Sequence, residues 1–255
     1  MREIRTIDRG EAKTFLRLLC DVFDLDFRRA RDIFFKEPFF ELKRKWALYE
    51  DGRMVGCLTT VPLEFGDGQA AGIAGVAIHS GLRGRGLGGE LLKEVLKEAA
   101  AAGEPRALLF AHETRLYEKQ GFRQLDRVVS QPLPGGEGSV RREVLSEAEV
   151  RTTYDAWAAE DAGRLRRDER RWGFWSWNMK SPYRLPGGYV CAELGRVREL
   201  LPAYQSLPFT DPVEWYGLET MGRSLGVPLG NPRSEMLLMG IGFDRAPQMF
   251  LSDQF

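Results

Sequence analysis

Hydrophobic positions recur with two different periods along this 255-residue chain, and the changes of period divide it into elements. From Leu87 to Ala101, apolar side chains stand at Leu87, Leu91, Leu92, Val95, Leu96 and Ala99, a helical spacing that gives one buried face. Val76, Ala77 and Ile78 form a β-prone run just upstream. Helices are predicted from about Glu11 to Phe23 and Asp26 to Phe35, and strands over Trp46–Glu50 and Met54–Phe65. Asp51-Gly52 between those strands is a strong hairpin signal, because such pairs adopt the positive φ values that a tight two-residue turn needs. Further strands are expected at Ala107–Phe110, Met236–Ile241 and Gln248–Leu251.

The chemistry concentrates where the strand ending at Ile78 meets the helix beginning at Leu87. The intervening Ser80-Gly-Leu-Arg-Gly-Arg-Gly86 places Arg83 and Arg85 among glycines at a helix start. A helix begins with four backbone N–H groups that lack intrahelical partners, and its dipole is positive there, so the segment can cradle a diphosphate. Gly84, Gly86, Gly88 and Gly89 carry no Cβ to keep a ligand from the backbone, and two guanidiniums add positive charge. A P-loop is excluded, since no Gly-Lys-Ser/Thr follows. Gly84, Gly86 and Gly89 do satisfy the dinucleotide pattern G-x-G-x-x-G, with Glu113 as the acidic residue beyond the next strand. However, Ser80 to Arg83 separate the strand from the first glycine, where a dinucleotide turn follows almost at once. A purely structural glycine turn is the third possibility.

Pro132, Pro134 and the glycines that follow mark a linker, assigned to residues 133–140 between domains at 1–132 and 141–255. The second domain echoes the first. Trp46-Ala-Leu-Tyr-Glu-Asp-Gly-Arg-Met-Val aligns without a gap on Tyr189-Val-Cys-Ala-Glu-Leu-Gly-Arg-Val-Arg, sharing Glu50 with Glu193, Gly52 with Gly195 and Arg53 with Arg196. The second half is therefore read as a diverged, abbreviated copy lacking any counterpart of Arg83 to Gly89. Aromatic residues gather at Phe23, Phe27, Phe34, Phe35, Phe39 and Phe40, and again at Trp172, Phe174, Trp175 and Trp177. Each group is either core or the wall or lid of a pocket.

Composition narrows the partners. Lys plus Arg and Asp plus Glu both total 37, so bulk charge offers nothing to nucleic acid. The Arg-rich runs Arg28–Arg31 and Arg164–Arg171 are interleaved with acids and are expected to be solvated helix faces. No stretch nears the ~18 apolar residues of a membrane span, and Met1-Arg-Glu-Ile-Arg is no secretory leader, so a cytoplasmic protein is expected. Cys20, Cys57 and Cys191 are too scattered for a disulfide framework or metal site, and His79 and His112 add no metal centre.

Arg83-x-x-Gly86-x-Gly88 resembles the acyl-CoA signature of the GCN5-related N-acetyltransferase (GNAT) superfamily. The flanks agree: Val76-Ala-Ile-His-Ser resembles its fourth strand, and Arg106 to Asp126 its fifth strand, a helix ending Leu-Tyr-Glu-Lys-x-Gly-Phe, and its sixth strand. The fold class implied is α/β, an α+β mixed sheet, with an N-terminal GNAT fold followed by a degenerate GNAT-like domain. The tandem arrangement partly resembles the enhanced intracellular survival (Eis) group, without room for that group's third, sterol-carrier-like domain; residues 140–255 as that domain are the alternative.

The resemblance implies acetyl transfer from acetyl-CoA to a small-molecule amine by direct attack, with no covalent enzyme intermediate. Val76, Ala77 and Ile78 would pair with the pantetheine and polarise the thioester carbonyl. The amides of Arg83, Gly84, Arg85, Gly86, Leu87, Gly88 and Gly89 would hold the pyrophosphate. Tyr117 matches the family's donor to the departing sulfur, and an unperturbed phenol, with a pKa of about 10, carries that proton at neutral pH. The family's strand glutamate has no match. Glu113, four residues before Tyr117, shares a helix face with it if the helix has already started there, and capping by Glu113 or Thr114 is the blander role. His79 is read as structural. In the Eis group the terminal carboxylate enters the site, which makes Phe255 a further candidate. A non-catalytic acyl-CoA-binding scaffold and a nicotinamide-dependent oxidoreductase are the competing functions. Homo-oligomers are possible.

Overall fold

In the computed structural model, residues 1–134, 143–179 and 181–255 are described. The first half runs β1 (Arg2–Thr6), α1 (Ala12–Phe23), α2 (Phe27–Phe34), β2 (Lys45–Glu50), β3 (Arg53–Phe65), β4 (Gly68–Ile78), α3 (Leu87–Ala101), β5 (Arg106–Ala111), α4 (Arg115–Glu118) and β6 (Arg123–Leu133). The second runs α5 (Glu147–Ala159), β7 (Leu165–Arg166), α6 (Glu169–Asn178), β8 (Pro182–Leu185), β9 (Gly188–Glu193), β10 (Arg196–Leu201), β11 (Val213–Leu218), α7 (Glu219–Ser224) and β12 (Arg233–Ile241). Helix α3 has the predicted bounds. Gln248–Leu251 is not a strand: Gln248 makes only an isolated bridge to Arg164, and Leu251–Asp253 is a 3-10 turn.

Both halves share one mixed sheet, ordered β1-β2-β3-β4-β5-β12-β6-β11-β10-β9-β8, with β7 on the flank of β3. Strand β12 is inserted antiparallel between β5 and β6, so the second half supplies a central strand to the first. Leu133, assigned to the linker from sequence, ends β6 and pairs with Val213; linker residues 135–140 lie outside the described residues.

The two aligned hairpins have the same turn. Asp51 and Gly52 have φ of 50° and 75°, and Leu194 and Gly195 have 51° and 77°. Paired positive φ is the geometry that matches strand twist in a two-residue hairpin.

One face of the first half of the sheet is covered by α3, through Leu87, Leu91, Leu92 and Val95. The other face receives α1 through Phe15, Leu16 and Leu18, and farther along α5 and α6 through Tyr154, Trp172 and Trp175. In the early aromatic cluster Phe34 and Phe39 are buried, whereas Phe23 and Phe35 are exposed. Phe34 and Phe40 enclose the buried Lys45 ammonium, 5.0 and 5.6 Å from the ring centroids, and Glu37 accepts its hydrogen bond at 2.9 Å. Phe39 instead packs with Val61 and Phe174. Trp172 and Trp175 are core as well, whereas Trp177 is partly exposed.

The expectation of solvated arginines fails at Arg167 and Arg171, which are buried. Arg167 binds Glu199 from β10 at 2.7 Å and Asp253 at 2.7 Å, and all three side chains are fully buried. Two carboxylates remote in sequence make that burial tolerable. Burial alone would raise the Glu199 pKa, yet the Arg167 guanidinium beside it holds the carboxyl below the usual range.

Candidate acyl-transfer site

The site begins as a fault in the sheet. Strands β4 and β5 pair in parallel only from Ala70 with Arg106 to Ile73 with Leu109. Two residues on, Gly75 has φ of 60° and the β3–β4 register slips between Cys57 and Thr59. This bulge reverses the in-out alternation, so Val76 and Ile78 join Ala71 and Ile73 on the α3 face. β5 meanwhile stays paired with β12 as far as Ala111. The strands therefore part and leave a wedge bordered by Val76, Ala77 and Ile78.

The wedge opens toward the glycine turn. His79 caps a 3-10 turn at Ser80–Leu82 by accepting the Gly81 amide at Nδ1, 3.3 Å away, which is the structural role read from sequence. Gly86, with φ of 79°, is the N-cap of α3 and adopts a conformation costly for any side chain. Among the described residues, the amides of Gly84, Arg85, Gly86, Leu87 and Gly88 meet no backbone carbonyl in the turn, whereas Gly89 and Glu90 both donate to the Gly86 carbonyl at 3.1 Å. Gly89 is thus not the free donor expected, and neither is Arg83, whose amide donates to the Ser80 carbonyl at 3.4 Å. The lack of a side chain at Gly89 serves packing, since a Cβ there would lie 3.0 Å from Gln120 Nε2.

A cleft of about 450 Å³ lies over this turn, lined by Arg83, Gly84, Gly86 and Gly88 and, from α4 and just beyond it, Arg115 and Lys119. Arg85 does not line it: its guanidinium grips Glu50 at 3.0 and 3.1 Å. Hydrogen bonds from Arg2 and then Arg85 keep the Glu50 carboxyl below its ordinary pKa. Arg115 and Lys119 line the cleft, and the sequence reading did not single them out. Their four-residue spacing was a visible signal, but only the packing of α4 on the start of α3 aims them at the cleft.

Tyr117 lies on α4, half-buried among the α3-face residues, with Phe122 at 6.1 Å centroid to centroid. Burial raises its pKa, so the phenol keeps its proton at neutral pH. Glu113 is exposed and precedes the N-cap Thr114, so the helix has not started and the shared face with Tyr117 does not form. Thr114 makes no side-chain cap bond. Phe255 packs from the opposite face of the sheet, its ring against Gly72 and 5.5 Å from Phe110. Tyr117 therefore packs on the α3 face of the sheet and Phe255 on the opposite face. Among the described residues, no helix is long and apolar enough to cross a membrane.

Residues 3–125 match the model of the acetyltransferase (GNAT) domain. A search of curated proteins found no match. Among solved structures, the chain is similar to a GCN5-related N-acetyltransferase from Kribbella flavida at 18% identity and a TM-score of 0.73, over 94% of this chain and 70% of that one. A GCN5-related N-acetyltransferase from Anabaena variabilis gives 18% and 0.72, over 94% and 72%. Eis1 from Mycobacterium abscessus gives 17% and 0.63, over 93% and 73%. At such identities the similarity establishes the fold, and it extends through both halves.

Proposed function

We propose, for a chain whose residues 3–125 match the model of the GNAT acetyltransferase domain, that it transfers the acetyl group of acetyl-CoA to a small-molecule amine. The observation that carries this reading is the wedge between β4 and β5 leading straight to unpaired amides at a helix start. A thioester on an extended arm fits that shape, with its phosphates at Gly84 to Gly88, flanked by Arg83, Arg115 and Lys119. Residues 1–132 are read as the catalytic part and 141–255 as a companion without a donor site.

In the reaction, the neutral amine attacks the thioester carbonyl carbon, the new C–N bond forms, and the C–S bond breaks with its electron pair leaving on sulfur. Holding both reactants in the wedge supplies proximity, and a main-chain N–H of β4 near Val76 stabilises the developing oxyanion. Tyr117 gives its proton to the thiolate. β4 carries no carboxylate, so we assign removal of the amine proton to Glu113 by way of water, two residues past β5 on the solvent side. That missing carboxylate also favours a second reading, an acyl-CoA-binding scaffold without turnover. Release of free thiol with a panel of amines separates the two.

The test of the cofactor is thermal melting with acetyl-CoA, CoA, NAD and NADP. At 100 times Kd, linkage predicts about 2.7 kcal/mol, a rise on the order of 5–10 °C, for the CoA species alone. Gly86→Glu combines a strained φ with a charge that repels phosphate, and it should abolish the rise. A shift with nicotinamide nucleotides instead, or with none of the four, refutes the proposal.

A further inference from the structure

Phe255 stands at the closed end of the wedge, and the structure invests heavily in keeping it there. Its ring straddles the last paired residues of β4 and β5, Ile73 and Leu109, with Gly72 on one strand and Phe110 on the other. A Cβ at Gly72 would lie 2.8–2.9 Å from three ring atoms, so the seat exists only because that residue is glycine. Phe39, Val61 and Phe174 back the ring from the far side.

The preceding turn is bolted from three directions. Arg167 grips the Asp253 carboxylate at 2.7 and 3.0 Å and donates to the Ser252 hydroxyl oxygen at 3.1 Å. Arg171 donates to the Asp253 carbonyl at 3.3 Å and to the Pro62 carbonyl of β3 at 2.6 Å, tying this turn to the sheet. Arg198 donates to the Leu251 carbonyl at 2.8 Å. A ring mounted on such a turn has little freedom to swing aside.

From Ile78, beside the phosphate cradle, back to Gly72 is six residues of strand, ~20 Å. A CoA arm running along β4 from the cradle therefore carries its thioester toward the ring. We infer that Phe255 is a specificity-determining residue that limits the length of the acyl group, the ring occupying the space that carbons beyond an acetyl would need. The inference rests on the acyl-CoA reading above.

Equilibrium binding of acetyl-CoA and hexanoyl-CoA to wild type, Phe255→Ala and Phe255→Leu tests it without requiring turnover. Wild type should favour acetyl-CoA at least about tenfold, and the Ala variant should bring the ratio near or below one while keeping acetyl-CoA affinity within about threefold. The Leu variant, which keeps an apolar anchor and so protects folding, should fall between them. Equal affinities in wild type, or an unchanged ratio in both variants, overturn this inference alone. Failure of wild type to bind either thioester overturns it together with the acyl-CoA reading.

Discussion

The β2–β3 and β9–β10 hairpins turn through the same pair of positive φ values, yet the chain that follows them is built differently. After β3 the chain builds β4, a bulge at Gly75, a glycine turn, α3 and a parallel β5 that separates from β4. After β10 it crosses by residues 202–212 to a parallel β11 without a helix or a glycine turn. The hairpin is thus common scaffolding. What distinguishes the halves is whether the next parallel pair is interrupted by a helix start, because that alone creates unpaired amides beside a gap in the sheet. Charge is used differently as well. Arg85 in the first half sits in an exposed pair with Glu50, whereas Arg167 in the second is sealed between two carboxylates.

The strongest way to break this contrast is to remove one cation from each half. Arg167→Met leaves Glu199 and Asp253 buried without a counter-charge and should cost about 3–5 kcal/mol. Arg85→Ala opens a surface pair and should cost less than about 1 kcal/mol. Urea unfolding of both variants measures the difference, and comparable losses would contradict the assignment of Arg167 to a structural core.

Tyr117 sharpens the functional side. Tyr117→Phe should lower kcat about 10²-fold with acetyl-CoA binding nearly unchanged, since the ring's packing survives and only the donor is lost. In wild type, burial raises the phenol pKa, so the acidic form persists past the ordinary value of about 10, and the activity it supports should fall only above that pH. Steady-state rates with a thiol readout across alkaline pH test this. A variant with full activity would leave Tyr117 a packing residue.

A smaller effect is expected at the entrance to α1. Glu11 accepts two hydrogen bonds from Arg5, at 2.8 and 2.9 Å, and one from Tyr49, which lower its pKa to about 2. A carboxylate with a depressed folded pKa contributes stability that is complete above its unfolded value of about 4.3 and is lost as pH falls toward 2. With partial solvent screening the contribution should be about 1–2 kcal/mol. Glu11→Gln should lose it at neutral pH and flatten the acid dependence between about pH 4.5 and 2, as followed by thermal melting.

Local features were legible in the sequence because they are encoded locally. The period of α3, the Asp51-Gly52 turn and the glycine N-terminus of α3 each follow from a few neighbouring residues and their allowed φ and ψ. Reading Glu113 onto the helix of Tyr117 failed by two residues, since a four-residue helix capped at Thr114 leaves no margin. The pairing of the Arg85 guanidinium was not legible for a different reason: its partner, Glu50, is a hairpin residue 35 positions earlier.

What the sequence by itself determined is the set of devices along the chain: two like hairpins, one glycine turn, one aromatic-rich companion half. The tertiary structure alone decided that β12 enters between β5 and β6, that Arg167 is buried, and that Phe255 reaches Gly72. These depend on pairings between residues far apart in sequence, whose closure entropy is repaid only by packing and charge neutralisation in the assembled fold, and no local pattern of side chains announces them.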